Sequence, residues 1–342
     1  MKQSYIHKLL YSSVTIIALV GFVGCRGNES QSTPDATTVS PTSTPINHAL
    51  TANTPGTTQT QPADSPYYHQ VYSASSSDGL TWTQDSDTPI VEHASVPLAI
   101  VQTDGTVMLY YVDASDGPER LGCKTSTDNG NTFTDGTCVI KNLSVDRTVD
   151  YSIVQLPDGR YRLYYFGSNA ATGDPAAAEG DHSILSAISE DGRTFTEEGV
   201  VFSYAGLVDP DVFWNGKTWI MHVFSGIAKG NVVATSTDGT NFTYVGLLEP
   251  NGYGVTKPIQ LPDNTFRMYG FKQGQQTVFY SFTSPDGLTW TQEDGERLAA
   301  PDGYEITDPF VVQTKTGNYK MYYKVSKKQT PPTLTNGEAT QQ

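Results

Sequence analysis

The 342-residue chain has little positive charge, few cysteines and a low content of charged residues overall. It carries 21 Lys and Arg against 36 Asp and Glu, which gives a formal net charge of −15. Phosphate backbones repel an acidic protein, so we expect no nucleic-acid partner. Three cysteines are too few for a disulfide-framework miniprotein, and no Cys/His spacing suggests a zinc site. Aromatic residues, by contrast, make up 11% of the chain and include 20 Tyr, which favours a folded, β-rich, extracellular-type protein.

The first 25 residues have the pattern of an export signal. Two lysines precede an apolar stretch over 9–24, which is too short for a comfortable membrane span. Its end, Phe22-Val23-Gly24-Cys25, resembles the lipobox of bacterial lipoproteins, with Phe22 in place of the usual Leu. The resemblance implies a signal peptide over 1–24, acylation of Cys25 and a place in the bacterial cell envelope, on the outer face of the membrane. The alternative is an ordinary signal peptide with an incidental cysteine.

Residues 27–66 contain no Phe, Tyr or Trp, and 21 of these 40 residues are Ser, Thr or Pro. Such a stretch cannot bury enough apolar surface to offset its ordering entropy. We therefore predict the anchor cysteine and a disordered tether over 25–66, and a disordered tail over 327–342. A folded domain over 67–326 lies between them.

A turn motif occurs five times in the folded domain, and each copy places an aromatic residue shortly after Asp and Gly. Asp-Gly supplies the positive-φ turn of a tight hairpin, and the Asp side chain can accept hydrogen bonds from turn N–H groups. We therefore expect these aspartates to be structural. The copies span 76–82, 126–133, 189–195, 236–242 and 284–290.

A second element is a hairpin of alternating apolar residues, also in five copies. Short strands, turn residues and no long stretch of helical period indicate an all-β fold. Two hairpins per unit of about fifty residues make a four-stranded antiparallel blade, so five units predict a five-bladed β-propeller. The domain begins with a turn-motif hairpin and ends with an alternating one. We therefore predict that the N-terminal hairpin, 67–85, closes the last blade as the outer strands beside 309–325.

Cys123 and Cys138 lie on either side of the second turn motif. Facing strands of one hairpin would bring them close, and export permits oxidation. We favour a disulfide between them over two buried free thiols.

The turn motif resembles the Asp-box, or bacterial neuraminidase (BNR) repeat, of sialidases. The copy at 126–133 has the full Ser-x-Asp-x-Gly-x-Thr-Phe spacing, and the other four are one residue shorter. Five blades with Asp-Pro before an inner strand resemble the propellers of arabinanases, xylosidases and fructosidases, the five-bladed glycoside hydrolase superfamily. A sialidase is disfavoured, because a sialic carboxylate requires clustered arginines and only Arg147 and Arg120 would lie near the top face.

Aligning the repeats brings one residue of each blade to the mouth of the central axis on the top face. This ring consists of Val96, Asp150, Asp209, Lys257 and Asp308. Asp211 alternates to the same side as Asp209. Three carboxylates at one narrow mouth repel one another, which raises at least one pKa and is typical of functional sites. The alternative is an ion-pair ring that only holds the mouth together. The insertion at 168–182 belongs on the same face, as a lid or as a tolerated insertion.

Two classes of function fit these residues. The first is a surface-anchored glycoside hydrolase-like protein that acts on a neutral glycan, with one carboxyl group donating a proton and another activating water or attacking carbon. By resemblance to the five-bladed glycosidases, one of Asp150, Asp209 and Asp308 would be the base and a second would tune the acid. Glu305 is the candidate acid, with Tyr304 beside it to raise its pKa. The second class is a non-catalytic carbohydrate- or protein-binding propeller lipoprotein, whose carboxylates pair with Lys257 or hold a structural calcium ion.

Candidate substrate contacts are common to both classes. We expect a carbohydrate or cell-surface glycan as partner, no required cofactor and a monomeric protein that touches the membrane only through its lipid anchor. The candidate contacts are Lys257, Asp211, Arg147, Tyr151 and Tyr304.

Overall fold

A computed structural model describes residues 65–168 and 181–328. The predicted signal peptide, Cys25, the tether up to residue 64, most of the 168–182 insertion and the tail from 329 onward lie outside the described residues. The described part begins with a single 3-10 turn, Pro66–Tyr68, and continues into three strands. These are β1 (Gln70–Ser76), β2 (Thr83–Gln84) and β3 (Val91–Glu92).

The strands of the described residues group into five sheets. Blade 1 consists of β4 (Ala94–Val101), β5 (Val107–Asp113), β6 (Arg120–Ser126) and β7 (Thr134–Asp135). Blade 2 consists of β9 (Arg147–Gln155), β10 (Tyr161–Ser168), β11 (Asp181–Ser189) and β12 (Thr194–Ala205), with β8 (Val139–Lys141) parallel to β12 at its outer edge. Blade 3 consists of β13 (Leu207–Trp214), β14 (Trp219–Ser225), β15 (Gly230–Ser236) and β16 (Thr243–Leu247).

Blade 4 has an innermost strand in two pieces, β17 (Tyr253–Val255) and β18 (Ile259–Gln260), followed by β19 (Phe266–Lys272), β20 (Gln275–Ser284) and β21 (Thr291–Gln292). Blade 5 is made from both ends of the described chain, β22 (Tyr304–Gln313), β23 (Tyr319–Lys327), β1 and β2. β1 pairs with β23 over seven residue pairs, from Gln70 opposite Val325 to Ser76 opposite Tyr319. This confirms the predicted five-bladed β-propeller, closed by the N-terminal hairpin.

The turn motifs lie at the bottom of the propeller, beside the turns of the inner hairpins. Asn215, in the turn between β13 and β14, donates to the backbone oxygen of Asp286 at 2.8 Å. Asp78 shows the local geometry: its carboxylate accepts the N–H groups of Leu80 and Thr81, both at 2.8 Å. These backbone hydrogen bonds lower the pKa of Asp78 to about 2. The other four motif aspartates also accept turn N–H groups: Asp128, Asp191, Asp238 and Asp286.

Each turn motif also packs against the second strand of the neighbouring blade. We call each of these contacts between neighbouring blades a seam. In three seams a buried Tyr hydroxyl donates to the carbonyl oxygen of the motif Gly, at 2.7–2.8 Å. At a fourth seam Gly130 has a φ of 82°, and a Cβ there would lie 2.3 Å from the Tyr322 hydroxyl, so no side chain fits. The three hydrogen-bonded pairs are Tyr110 with Gly192, Tyr164 with Gly239, and Tyr269 with Gly79.

Cys123 of β6 and Cys138 form the predicted disulfide, with their Cα atoms 5.9 Å apart. It ties the outer hairpin of blade 1 to the segment that leads into blade 2. None of the helical turns in residues 65–168 and 181–328 is long and apolar enough to cross a membrane.

Candidate functional site

Four of the five innermost strands have a residue with left-handed backbone conformation at the equivalent position, the ring position. The φ angle is 44° at Val96, 54° at Asp150, 52° at Asp209 and 55° at Asp308. At each point the pairing with the second strand shifts register, which marks a β-bulge. Left-handed backbone is unfavourable for residues other than glycine, so four equivalent occurrences indicate a repeated device that re-aims these side chains. In blade 4 the innermost strand is interrupted instead, and Lys257 lies in the gap between β17 and β18.

The five ring residues are half-buried, whereas the residues immediately before and after each of them are buried. The backbone is therefore packed on both sides, and the ring side chains are the part that reaches the opening. Beneath the ring, the Thr256 hydroxyl donates to the carbonyl oxygen of Pro309 at 2.9 Å, which fastens blade 4 to blade 5.

The three aspartates of the ring interact with one another although they come from blades 2, 3 and 5. Burial, together with the Asp308 carboxylate, raises the pKa of Asp150 to about 6. Burial also raises the pKa of Asp209 well above its usual value, and repulsion from Asp150 and Asp308 adds to this shift. Such mutual effects require short distances, so the structure brings these three predicted carboxylates together. A group of this kind can hold a proton on one member and an ionised carboxylate on another.

An ammonium group that the sequence-based reasoning missed lies among these carboxylates. Lys324 of β23 forms an ion pair with Asp308, with 3.0 Å between Nζ and Oδ2. Burial opposes its charge, but the carboxylates of Asp308, Asp209 and Asp150 outweigh burial and raise the pKa of Lys324. The repeats did contain a signal, because the corresponding second-strand position is apolar in the other four blades. Those residues are Val112, Phe166, Phe224 and Phe271.

Lys257 reaches a deeper level of the axis than the ring. Its Nζ donates to the carbonyl oxygen of Ile153 at 2.9 Å and lies 5.3 Å from the centre of the Phe310 ring. Its charge partner is Asp211, which also accepts the Lys257 backbone N–H. Burial raises the pKa of Asp211 to about 8 and lowers the pKa of Lys257 to about 8. The expectation that Lys257 pairs with a ring carboxylate is therefore wrong, and Lys324 has that role.

Two of the predicted substrate contacts, Tyr151 and Tyr304, do not face the ring of aspartates. Tyr151 is 3% exposed, and its hydroxyl donates to the carbonyl oxygen of Thr148 at 2.7 Å, so it belongs to the core and cannot touch a substrate. Tyr304 shares a face of β22 with Ile306, and both line a cleft beside blade 4. Glu305 points to the opposite face, since successive strand residues alternate. Tyr304 therefore does not provide the apolar surroundings predicted for Glu305.

Arg147, at the start of β9, lies near enough to Asp150 to lower the pKa of that carboxyl slightly against the effect of burial. Its guanidinium is already ion-paired with the Glu119 carboxylate. Across the described ranges no three His, Cys, Asp or Glu side chains are arranged to hold a metal ion. The Lys324 ammonium group carries a positive charge at the ring.

The fold is similar to the folds of several solved structures. The chain is similar to a candidate glycoside hydrolase from Parabacteroides distasonis, at 17% identity over 69% of this chain and 87% of that one, with a TM-score of 0.50. It is also similar to the GH43_1 enzyme from Xanthomonas citri complexed with xylotriose, at 15% identity over 70% and 89%, with a TM-score of 0.51. A candidate glycoside hydrolase from Bacteroides ovatus matches at 14% identity over 68% and 86%, also at 0.51. The fold is therefore that of the glycoside hydrolase propellers.

No protein-family model and no curated protein matches this sequence. At identities this low the structural likeness concerns the fold alone, and the chemistry has to be argued from the site.

Proposed function

We propose that this protein is a glycoside hydrolase that cleaves a neutral glycan at the top of the propeller. The observation that carries the proposal is the cluster of Asp150, Asp209 and Asp308, which three different blades present from equivalent left-handed bulges. Two of these carboxyl groups have raised pKa values, and the third is held by an ammonium group. Left-handed backbone and buried like charges both cost stability, so their coincidence at one mouth is typical of a site maintained for function.

Glycoside hydrolysis needs one protonated and one ionised carboxyl group. Asp209 suits the acid, because burial and repulsion from the neighbouring carboxylates raise its pKa and favour its protonated form. It would deliver this proton to the leaving-group oxygen. Asp308, fixed by Lys324, would act on the opposite side as base toward water or as nucleophile toward the anomeric carbon. Asp150 accepts the Asp209 backbone N–H and repels the ionised form of Asp209, which makes it the residue that tunes the acid.

A neutral substrate is favoured by the charges around the ring. The chain has a net charge of −15, and Arg147, which lies close enough to Asp150 to affect its pKa, is already paired with Glu119. A uronate or sialate carboxylate would meet repulsion here without a free guanidinium to bind it. We include an acyl anchor at Cys25 in the proposal, so the glycan would be met at the outer face of the cell envelope. The proposal includes no cofactor.

Activity on chromogenic glycosides of neutral pentoses and hexoses tests the proposal on the full chain. Asp209→Asn and Asp308→Asn keep the side-chain shape, and we expect each to lower turnover of a responsive glycoside by about two orders of magnitude or more. Asp302→Asn, on the exposed loop before β22, is the charge-matched control and should leave turnover unchanged.

Other outcomes have defined meanings. Loss of turnover in Glu305→Gln with full activity in Asp209→Asn would return the role of acid to Glu305. Binding of glycans without turnover of any glycoside would overturn the proposal in favour of the non-catalytic carbohydrate-binding class.

A further inference from the structure

A second cleft lies between the face of blade 5 and the segment that leads into it from blade 4. It has a volume of about 240 Å³, and none of the ring residues lines it. At about 30 Å³ per molecule this is space for roughly eight waters, which suits a single ring-sized ligand. The walls that matter here are Gln70, Tyr72, Gln84, Asp87, Tyr304 and Tyr323.

Two tyrosines form one wall of this cleft. Tyr72 of β1 and Tyr323 of β23 are direct cross-strand partners, with ring centres 6.3 Å apart and ring planes within 27° of parallel. Tyr304 of β22 contributes a third ring from the neighbouring strand. Tyr323 is buried, whereas Tyr72 and Tyr304 are half-buried and keep accessible ring faces. Tyrosine rings offer apolar faces together with a polar tip, so these two rings can receive the C–H face of a ligand and bond its hydroxyl groups.

Three polar groups of the cleft have no hydrogen-bond partner among the described residues of the protein. Tyr323 is 2% exposed, yet within the part of the chain that the structure describes its hydroxyl has no hydrogen bond, and neither has the Tyr304 hydroxyl or the Asp87 carboxylate. In blade 2 the residue equivalent to Tyr323 is Tyr165, whose hydroxyl donates to Glu197 at 2.8 Å.

The counterpart of Glu197 in blade 5 is Gln84. Its amide donates to the carbonyl oxygen of Ser86 at 2.7 Å and leaves Tyr323 without that partner. A polar group left unpaired in a largely buried place is costly unless water or a ligand bonds it. Blade 5 thus has an open hydrogen-bonding site where blade 2 has a closed one.

The charged side chains around the cleft indicate which class of ligand it can bind. Asp87 lines it and Glu92 lies close to Tyr72, whereas no Lys or Arg is among its lining residues. An anionic ligand would be repelled. Because Tyr323 is buried behind Tyr72, the accessible rings are those of Tyr72 and Tyr304, and two rings do not make the aromatic cage that binds a cation.

We propose that this cleft binds one unit of a neutral oligosaccharide, stacked on the half-buried ring of Tyr72 and hydrogen-bonded by Asp87, Gln84 and the Tyr304 hydroxyl. Tyr304 and Asp308 are four residues apart on β22, about 13 Å at strand rise, so the cleft holds a different sugar unit from the one at the ring. The site does not depend on cleavage at the ring, because it would bind glycan equally well on a non-catalytic propeller.

Titration calorimetry with a panel of neutral tetrasaccharides (gluco-, xylo-, manno-, galacto- and arabino-oligomers) tests this on the full chain carrying Asp209→Asn, which prevents turnover. For at least one oligomer, Asp87→Ala and Tyr72→Leu added to this background should each weaken binding about tenfold or more. The control is Tyr244→Ala, on the exposed outer strand of blade 3, which should leave binding unchanged.

Asp87 is exposed and makes no contact that the fold needs, so its variant keeps the test valid if Tyr72→Leu fails to fold. The proposal is overturned if no neutral oligomer binds, or if binding is insensitive to Asp87→Ala. It is also overturned if trigalacturonic acid binds more tightly than every neutral oligomer. The two proposals can fail separately. If the wild type cleaves no glycoside but still binds an oligomer with an affinity that depends on Asp87, only the hydrolase proposal is contradicted.

Discussion

At the scale of single residues, the site contains carboxyl groups whose ionised form is disfavoured by burial. Asp209 and Asp211 are only two residues apart on β13, and burial raises both of their pKa values. Carboxyl groups that are easier to protonate in the folded state than in the unfolded state reduce stability as they ionise. The ring and the layer beneath it are therefore places where the protein gives up stability, as functional sites commonly do.

This gives a pH prediction for Asp211. Its pKa is about 8 in the folded protein and about 3.9 in an unfolded chain, so its contribution to stability is complete below pH 4 and is lost as pH rises toward 8. Asp211→Asn should therefore stabilise the protein more at pH 8 than at pH 5. The difference in the free energy of unfolding should be up to a few kcal/mol, since one pKa unit corresponds to about 1.4 kcal/mol. It can be measured as a larger rise of the melting temperature at pH 8. Asp302→Asn removes one charge from an exposed loop and should show no such pH dependence. Equal shifts at both pH values for Asp211→Asn would contradict the prediction.

The limits of sequence reasoning are also clearest at single residues. Asp150, Asp209 and Asp308 could be predicted because the repeat fixes which residue of each innermost strand meets the axis. Lys324 could not be found in that way, since it reaches the ring from a second strand. Tyr151 follows Asp150 directly, and only the bulge geometry reveals that it turns into the core.

At the scale of secondary-structure elements, the seams between blades repeat one contact with one exception. The second strands place a Tyr under the neighbouring turn motif in blades 1, 2, 4 and 5, whereas blade 3 has His222. His222 is 1% exposed and packs edge-on against Phe213 and Trp290. The Gly287 backbone lies near its ring, but in the described structure neither ring nitrogen makes a hydrogen bond of good geometry. Burial lowers the pKa of His222 to about 3. The repeat pattern predicts the contact between blades, but not which contacts carry the hydrogen bond, because the Tyr322 hydroxyl also lacks a partner in the described structure.

His222 should therefore make the propeller sensitive to acid. Its pKa is near 6.5 when unfolded, so stability is full above pH 6.5 and falls as pH drops toward 3, because the unfolded chain binds a proton that the folded one excludes. His222→Tyr restores the residue of the other seams and should reduce the stability lost between pH 7 and pH 5 in urea unfolding.

Tyr164→Phe is the matched comparison at an intact seam. It removes a hydroxyl that donates to Gly239 at 2.8 Å and should cost about 1–2 kcal/mol at both pH values. If wild type and His222→Tyr lose the same stability between pH 7 and pH 5, another group is responsible for the acid sensitivity.

At the scale of the whole molecule, stability depends on a contact between the two ends of the described chain. β1 completes blade 5 by pairing with β23, and Trp82, just after it, is 8% exposed and lies edge-on to Tyr269 of blade 4 at 5.7 Å. The N-terminal hairpin thus fills blade 5 and also seals the seam to blade 4. The order of the half-blades along the chain was sufficient to predict this closure, because five inner and five outer hairpins balance only if the ends pair.

Removal of the hairpin should therefore unfold the propeller and not merely shorten it. A chain that begins at Ala94 lacks β1, β2, β3 and Trp82, which leaves β23 with an unpaired edge and exposes the apolar side chains between blades 4 and 5. We expect this chain to lose near-ultraviolet circular dichroism and to aggregate, because the loss of one large buried aromatic residue alone costs about 3–5 kcal/mol. A chain that begins at Ser65 keeps every strand of blade 5 and is the control that should stay folded. If the missing closure is the cause, adding residues 65–93 as a separate peptide should restore the circular dichroism of the shorter chain. A stable monomer that begins at Ala94 would contradict the prediction, because blade 5 would then fold without its N-terminal strands.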